Sequence, residues 1–573
     1  MSMSVEKHAG WRRQLMLAML IATAVLIPRA ILIAHYHAPT RDENYHLFRG
    51  LMFLRRDWTL IHSQRFIWND PPLGDALLSV PAWFNGVHLE NPLDARDNKR
   101  DVPPPPKNQY VMPDSIQMET AVWQSILFLP ALAVIFHWVR VVYSIRSAWL
   151  TLAMLLCEPT LAAHLPLPTV DVLGMSGIII TCWCGWRYLV APSPSRRLLA
   201  AAAMGLSLLL KNTALLLPPV LLFMAAIHWI ALPLIQHRDV PVRRYVREMI
   251  LFALTAAVAL WIGVFADVSA PFPQHRFANP TVDSLAKIPL PAGIYLRAVI
   301  SGLQHARKGH SAFLLGHESE TGWWYYFPVV ATFKVPIGII VVFVIGIASL
   351  LWIKPRYSEL PLLICGSAWT LSLMRQHIDI GFRHFLTPEV FWLMLASRCV
   401  AVRQPAVTIA VWFATVVSAV QVALFTPDYL SYINFPRRQW YLQISDSNVD
   451  WGQATKQLRH WIDHLPDDGR PIYLGYFGPL DQDLFEQLGP RLSKYVMNSG
   501  KWISRTPGRP SPEFADLPAH GIFVISPVLI TGQYKPGPIF ARFRNIPPKE
   551  IIGHSLLVYD LDDLRNSNRL EEH

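Results

Sequence analysis

The feature that most restricts what this chain can fold into is a series of apolar runs, each long enough to cross a lipid bilayer. Leu15 to Ala34 is apolar apart from Thr23 and Arg29, and about 20 such residues traverse a hydrocarbon core of about 30 Å. Similar runs recur as far as Val416. The length rule predicts roughly eleven spans, centred near Val25, Leu129, Met154, Ile179, Met204, Leu222, Ala257, Val342, Cys365, Trp392 and Val416. A cleaved signal peptide is the alternative for the first run, but that run is long and no small-residue cleavage site follows it. Composition agrees with a membrane class: 52% of residues are hydrophobic and 16% charged, with a mean hydropathy of +0.28, against about a quarter charged in ordinary soluble domains.

A formal net charge of +11 raises the question of nucleic acid. The positions of the cations answer it, because Lys and Arg gather in short loops between apolar runs, where they set membrane orientation. Lys7, Arg12 and Arg13 precede the first span. With that end in the cytoplasm, every second connection is cytoplasmic, and those connections carry Arg140 and Arg146; Arg187, Arg196 and Arg197; Arg238, Arg243, Arg244 and Arg247; Lys354 and Arg356; and Arg398 and Arg403. The alternate short loops hold only Lys211, Arg375 and Arg383. The expectation is therefore a multi-pass protein of the cell (inner) membrane, its amino terminus cytoplasmic. A membrane part, 1–426, precedes an extracytoplasmic tail, 427–573, and the polar segments 37–118 (with the Pro-rich stretch Pro103 to Pro106) and 269–326 lie outside too. In the tail, Ile472 to Phe477, Gly521 to Ile525 and Ser555 to Tyr559 read as strands, and Trp451, Leu458, Trp461, Ile462 and Leu465 mark an amphipathic helix. The predicted class is an all-α polytopic bundle with a C-terminal α/β domain.

The five cysteines offer neither a disulfide framework nor a metal spacing. No solenoid repeat, inverted transporter symmetry or Walker-type phosphate loop is visible. His305, His310 and His317 with Glu318 and Glu320 match no standard ligand pattern, so no metal or other cofactor is predicted, although a divalent ion stays open.

Directly after the first span come Thr40, Arg41, Asp42, Glu43, Asn44, Tyr45 and His46. Two carboxylates at a dry membrane rim have raised proton affinity and suit base chemistry. If the segment is helical, His46 shares a face with Asp42. A helix cap with solvated charges explains the same residues. Further on, Trp68, Asn69 and Asp70 precede Pro71, Pro72 and Leu73, and an apolar stretch too short to span then runs to Trp83. Asp70 reads as a site-lining acid or as a simple cap. His164, Asp171, Lys211, Lys334 and Arg383 approach the same outer face. Lys and Arg there would hold a lipid phosphate; interfacial snorkelling is the alternative, and Lys334, being deepest, is the hardest to explain that way. Trp323 to Tyr326 read most simply as an aromatic belt.

Asp42-Glu43 after the first span, Asp70-Pro71-Pro72-Leu73, Gly322 to Pro328 with Lys334, Gly381-Phe382-Arg383-His384-Phe385-Leu386 and the tail's Ser445 to Gly452 together resemble bacterial GT-C glycosyltransferases of family 39, relatives of the protein O-mannosyltransferases. The resemblance implies a GT-C bundle, an outer active site and a polyprenyl-phosphate-linked sugar as donor. It implies that Asp42 is the catalytic base and Glu43 the second acid. The family often has His before Pro-Pro-Leu, where this chain has Asp70.

The expected reaction is a single inverting displacement. An acceptor hydroxyl on protein, lipid or glycan loses its proton to Asp42 and attacks the anomeric carbon, while Lys334, Lys211 and Arg383, in that order, stabilise the leaving phosphate. Membrane lipid is an expected partner and nucleic acid is not. The rival is a transporter or flippase of a lipid-linked sugar without chemistry. An inactive relative whose tail binds a partner is a third reading.

Overall fold

A computed structural model describes residues 2–62, 70–87, 114–273, 279–402, 404–434, 439–478, 492–498, 501–504, 517–534 and 538–567. Trp68, Asn69, Arg403 and the stretch Pro103 to Pro106 lie outside the described residues. The chain is mostly helical, and among the described residues six helices are long and apolar enough to cross a membrane: Gly10–Tyr36, Asp114–Val142, Val170–Val190, Asn212–Ile235, Val242–Gly263 and Pro405–Ala423. They coincide with the predicted spans near Val25, Leu129, Ile179, Leu222, Ala257 and Val416.

The other five apolar segments form shorter helices, Ile145–Leu156, Pro194–Ser207, Ile337–Ala348, Leu360–Leu373 and Leu386–Ala396. At about 1.5 Å rise per residue, none of them alone matches the hydrocarbon thickness. Local chemistry shortens them. Ser144 and Ser193 cap their helices by accepting from the backbone of Ser147 at 3.1 Å and Arg196 at 3.3 Å, which satisfies amide groups that open helix ends leave orphaned. Pro336 brings no N–H, and Val335 before it is extended, so Tyr326–Lys334 and Ile337–Ala348 cannot form one continuous helix. Ile337–Ala348 packs so closely on Pro405–Ala423 that a Cβ at Gly338 would lie 1.8 Å from the Ala414 carbonyl oxygen, the small-residue contact typical of membrane helices.

The tail contains a six-stranded mixed sheet in the order Lys501–Ser504, Leu492–Asn498, Ile472–Gly475, Ile522–Ile525, Leu556–Asp560, Glu550–Ile552. Ile472–Gly475 runs parallel to both neighbours and the remaining pairs are antiparallel. The strands Ile472–Gly475, Ile522–Ile525 and Leu556–Asp560 and the helix Thr455–His464 fall in segments that the sequence marks, whereas Leu492–Asn498, Lys501–Ser504 and Glu550–Ile552 are not among the predicted strands. Trp451 precedes that helix and packs elsewhere. It joins Phe477 and Val528 in a cluster with Ile33, Ala162, Ala163, Leu430 and Tyr432, so apolar contacts fasten the tail to the end of the bundle where the first long helix finishes.

Cations add polar fastening: the tail's Lys456 donates to the Ala34 carbonyl at 3.0 Å and to Gln117 Oε1 at 3.1 Å, and the bundle's Lys334 reaches into the tail. Lys334 is buried, and its Nζ donates to the carbonyls of Leu430 at 2.8 Å, Tyr432 at 2.9 Å and Asn448 at 2.8 Å. All three ammonium hydrogens are thereby used. Replacing this residue, Lys334→Met, should strand buried carbonyls and lower unfolding free energy by on the order of 3 kcal/mol, read as a lower thermal midpoint in detergent. An unchanged midpoint would show that the three contacts do not hold the tail in place.

Candidate active site

The chain leaves the first helix at Tyr36 and is at once stitched to the tail: Ala38 N–H donates to the Gln453 carbonyl at 2.9 Å and Arg41 N–H to that of Trp451 at 3.1 Å. These bonds set where the two acids stand. Asp42 occupies the N-cap position of Glu43–Arg55 yet makes no side-chain capping bond. Its carboxylate instead faces the guanidinium of Arg383, Oδ2 to Nη2 3.6 Å, with 40% of the side chain exposed. A simple cap does not account for that orientation, because it forgoes the stabilisation of about 1 kcal/mol that a capping bond supplies. Glu43 is fully buried, accepts from Thr40 N–H at 2.6 Å, and leaves Oε2 without a hydrogen-bond partner among the described residues. Burial pushes its carboxyl up to about 7, against the opposing effect of the Thr40 bonds.

Arg383 owes its position to the same tail segment. Phe382 N–H donates to Asn448 Oδ1 at 2.8 Å, and Ser447 Oγ donates to the Ile380 carbonyl at 2.8 Å. At Gly381 a Cβ would lie 2.1 Å from Ser447 Oγ, so only glycine allows this approach. Asn448 Nδ2 also donates to the hydroxyl of Tyr326 at 3.0 Å. The aromatic run thus divides: Tyr326 is buried in the joint, whereas Trp324 and Tyr325 are exposed as a belt requires. The Arg383 guanidinium lies 3.8 Å from the centre of the Trp451 ring, a cation–π contact that is strong when desolvated. Its Nε has no hydrogen-bond partner among the described residues. Arg383 therefore retains donors for an anion, and its partner Asp42 is beyond hydrogen-bond distance.

The other predicted residues are distributed unevenly around this pair. His164 packs 5.9 Å from the Trp451 ring. Asp171 and Lys211 form a tight ion pair, and Asp171 also lies in the fields of Arg383, His384 and His164. Asp70 accepts from Asn212 N–H at 3.4 Å, next to Lys211. Two expectations need correction. Lys334 is not the leading phosphate ligand that its depth suggested, since its hydrogens go to carbonyls. His46 follows Asp42 by one turn, but its ring is buried against Asp75, Nδ1 to Oδ1 2.7 Å, and Asp75 pairs with Arg49 at 2.8 Å. His46 belongs to a structural knot between Glu43–Arg55 and Pro72–Leu78.

Further residues complete the surroundings. His384 is half-buried, and its buried Nε2 has no hydrogen-bond partner among the described residues. Asp446 accepts from the hydroxyl of Tyr534 and from Gln533 Nε2 at 3.3 Å, and Asp450 accepts from Ser526 Oγ and from Gly452 N–H at 3.1 Å. Ser526 follows the strand Ile522–Ile525, and Phe477 follows Ile472–Gly475, so the carboxyl ends of two parallel strands meet the site. His384 and Arg41 belong to motifs visible in the sequence. Tyr534 and Phe477 carried no signal, because a tail aromatic reads as core.

Comparison with known proteins gives one family match: residues 115–262 match the model described as dolichyl-phosphate-mannose-protein mannosyltransferase. Comparison with curated protein sequences gave no match. Among solved structures, ArnT from Cupriavidus metallidurans bound to undecaprenyl phosphate is similar, at 13% identity and a TM-score of 0.48, with 96% of this chain and 97% of that chain covered. The oligosaccharyltransferase of Archaeoglobus fulgidus in its apo form is similar at 11% identity and a TM-score of 0.47, with 81% of this chain and 62% of that chain covered.

The raised carboxyl of Glu43 makes stability depend on pH. The native state keeps a proton that the unfolded chain releases once pH passes the ordinary Glu range, so the contribution is full below about 4.5 and is lost as pH rises to about 7. Between about pH 5 and pH 8 the parent should lose up to about 3 kcal/mol more than Glu43→Gln, which has no proton to release. Thermal midpoints measured across that range check it, and parallel curves for the two proteins would count against a buried, protonated Glu43.

Proposed function

We propose that this chain, a multi-pass membrane protein similar to the GT-C glycosyltransferases of the protein-mannosyltransferase kind, moves a sugar from a polyprenyl-phosphate donor to an acceptor hydroxyl at the outer face of the membrane. The observation that carries the reading is the pairing of Asp42 with Arg383 over Trp451: a half-exposed carboxylate beside a buried guanidinium with donors to spare. An acid of that kind takes a proton, and a cation of that kind takes a leaving phosphate. The match of residues 115–262 to the mannosyltransferase family supports the same chemistry. The arginine-rich alternate loops support an amino terminus in the cytoplasm of the cell (inner) membrane and a site outside.

In this mechanism the acceptor oxygen attacks the anomeric carbon as its proton passes to Asp42, and the bond to the phosphate oxygen breaks. The departing polyprenyl phosphate carries the electron pair to Arg383. Lys211 is the second cation, once Asp171 yields it; Lys334 holds the Asn448 carbonyl and acts through position alone. Glu43, His164, His384 and Asp70 line the surroundings. Preorganised cations in a desolvated pocket cost no reorganisation as charge develops, which is why the guanidinium is worth more here than in water. The acceptor is a hydroxyl of protein, lipid or glycan, and the sugar a hexose or pentose. A flippase without chemistry would have no use for the carboxylate beside the cation, and no observation favours it.

With labelled polyprenyl-phosphate sugars and the purified protein, Asp42→Asn should lower transfer by about 10² to 10⁴. Arg383→Lys, which loses the planar fork and much of the ring contact, should lower it by more than tenfold, to the order expected for one lost charge-assisted contact. The product should carry the inverted anomer. Equal transfer by the parent and Asp42→Asn would remove Asp42 from the reaction, and retention of configuration would rule out a single displacement.

A further inference from the structure

The sequence reads as a polar outer segment from about Ser269 onward, yet the first part of that segment presents an apolar surface. The spanning helix Val242–Gly263 carries a stripe of Ile250, Leu254, Val258 and Ile262, four residues apart and each more than half exposed, which is the side a membrane helix turns to lipid. Exposed apolar residues do not stop where the helix does. Phe265, Val268, Val282, Leu285, Ile288 and Leu290 follow, with Val268 at 57% and Leu285 at 58% exposure.

Hydrogen bonds fold these residues back onto the helix end. The Asp267 carbonyl accepts from Trp261 Nε1 at 2.9 Å and from Ala292 N–H at 2.8 Å, and Asp267 Oδ2 accepts from Ile294 N–H at 3.1 Å. Between these points Val268–Ser269 pairs antiparallel with Leu290–Pro291, and Phe272 N–H donates to the Ala286 carbonyl at 3.1 Å, at the end of the short helix Pro280–Ala286. Val282 and Leu285 share one side of that helix by their spacing of three. Asp283 and Lys287 pair at 2.6 Å on another side. The root of the arm is also tied to the element that begins at Asp42. The Phe265 ring lies 5.0 Å from that of Phe53 and 4.5 Å from the Arg56 guanidinium, and Phe53 belongs to Glu43–Arg55. Arg297 donates to the carbonyl of Ile61, in the helix that follows, at 3.2 Å.

We infer that residues 265–273 and 279–290 form an arm that lies in the lipid interface on the side of the membrane where Asp42 stands, and that its partner is the phospholipid surface. Three observations choose lipid over water or a second copy of this chain. The apolar residues continue, within a few positions, a surface that lipid covers along Val242–Gly263. The bonds of Asp267 hold the start and the end of the arm at the level of Trp261, a residue type that marks the membrane boundary. The short helix sets Val282 and Leu285 against an ion-paired polar side whose Lys287 can reach headgroups, the arrangement of an element lying along the bilayer surface. Through Phe265 the arm ties the helix that begins at Asp42 to that surface.

The test uses the parent chain in phosphatidylcholine–phosphatidylglycerol nanodiscs doped with a phospholipid that carries a diazirine close to its headgroup. After illumination and proteolysis, lipid adducts should appear on peptides covering 279–290 as well as on Val242–Gly263. The double variant Val282→Glu, Leu285→Glu should lower the yield on 279–290 about tenfold, because charge opposes entry into the interface. Its yield on Val242–Gly263 should stay at the parent level, which reports that the variant is inserted. Adducts on Val242–Gly263 with none on 279–290 of the parent would overturn the inference, and so would equal yields on 279–290 from parent and double variant. Amine cross-links joining Lys287 of one chain to Lys287 of another would assign the surface to a second copy and overturn it too. None of these readouts depends on sugar transfer.

Discussion

A buried ammonium group whose three hydrogens all go to backbone carbonyls joins the bundle of this protein to its tail. Lys334 sits at the end of one short helix, directly before the Val335-Pro336 break, and reaches Leu430, Tyr432 and Asn448. Burying such a cation is costly unless every donor finds an acceptor, so Leu430, Tyr432 and Asn448 have little freedom to lie elsewhere. Ser445 to Gly452 then becomes the common neighbour of segments far apart in sequence. Asn448 holds Tyr326 and Phe382, Ser447 holds Ile380, and Trp451 receives the Arg41 amide.

Charge around the candidate base follows from this joint. Among the described residues, the cation that faces Asp42, Arg383, comes from the bundle and not from the tail. The tail contributes rings, and the rings decide where the cations of other segments rest. Trp451 carries Arg383, which a bundle loop presents to the Asp42 carboxylate, and Phe477 carries Arg41 at the exit of the first helix. Glu43, one residue away, has the opposite environment: full burial raises its proton affinity, and the bond from the Thr40 amide only partly offsets that. Two adjacent acids are thus separated chemically, because one points to solvent and cations and the other into the protein.

The sequence and the structure agree most where a physical signal is local. Long apolar runs are helices in six places, and short apolar runs locate the strands Ile472–Gly475, Ile522–Ile525 and Leu556–Asp560. Agreement weakens where an element's length depends on its ends. Hydropathy counts Ile145–Leu156 or Leu386–Ala396 with the long spans, since it registers apolar composition and not the caps, prolines and short 3₁₀ turns that end each helix. Among site residues, Asp42 stood out as a carboxylate at a membrane edge, and Arg383 as a cation with no obvious reason to be there. Lys334 stood out for the same reason, and depth alone could not tell a charge awaiting a ligand from one already satisfied by carbonyls. His46 shows the same limit: helical spacing brings it toward Asp42, but a carboxylate from another helix, Asp75, takes its ring.

By itself the sequence determined that this protein crosses a membrane, which short loops carry its positive charge, and which acids and cations gather at the ends of its apolar segments. Those properties are sums over neighbouring residues, and the bilayer reads them as such. Only the tertiary structure decided which charges are spoken for. Whether an ammonium, an imidazole or a guanidinium is occupied depends on acceptors that lie far along the chain, such as Asn448 for Lys334 or Trp451 for Arg383. No spacing rule spans that distance, because the partners meet through packing of the tail on the bundle and not through the periodicity of any one element.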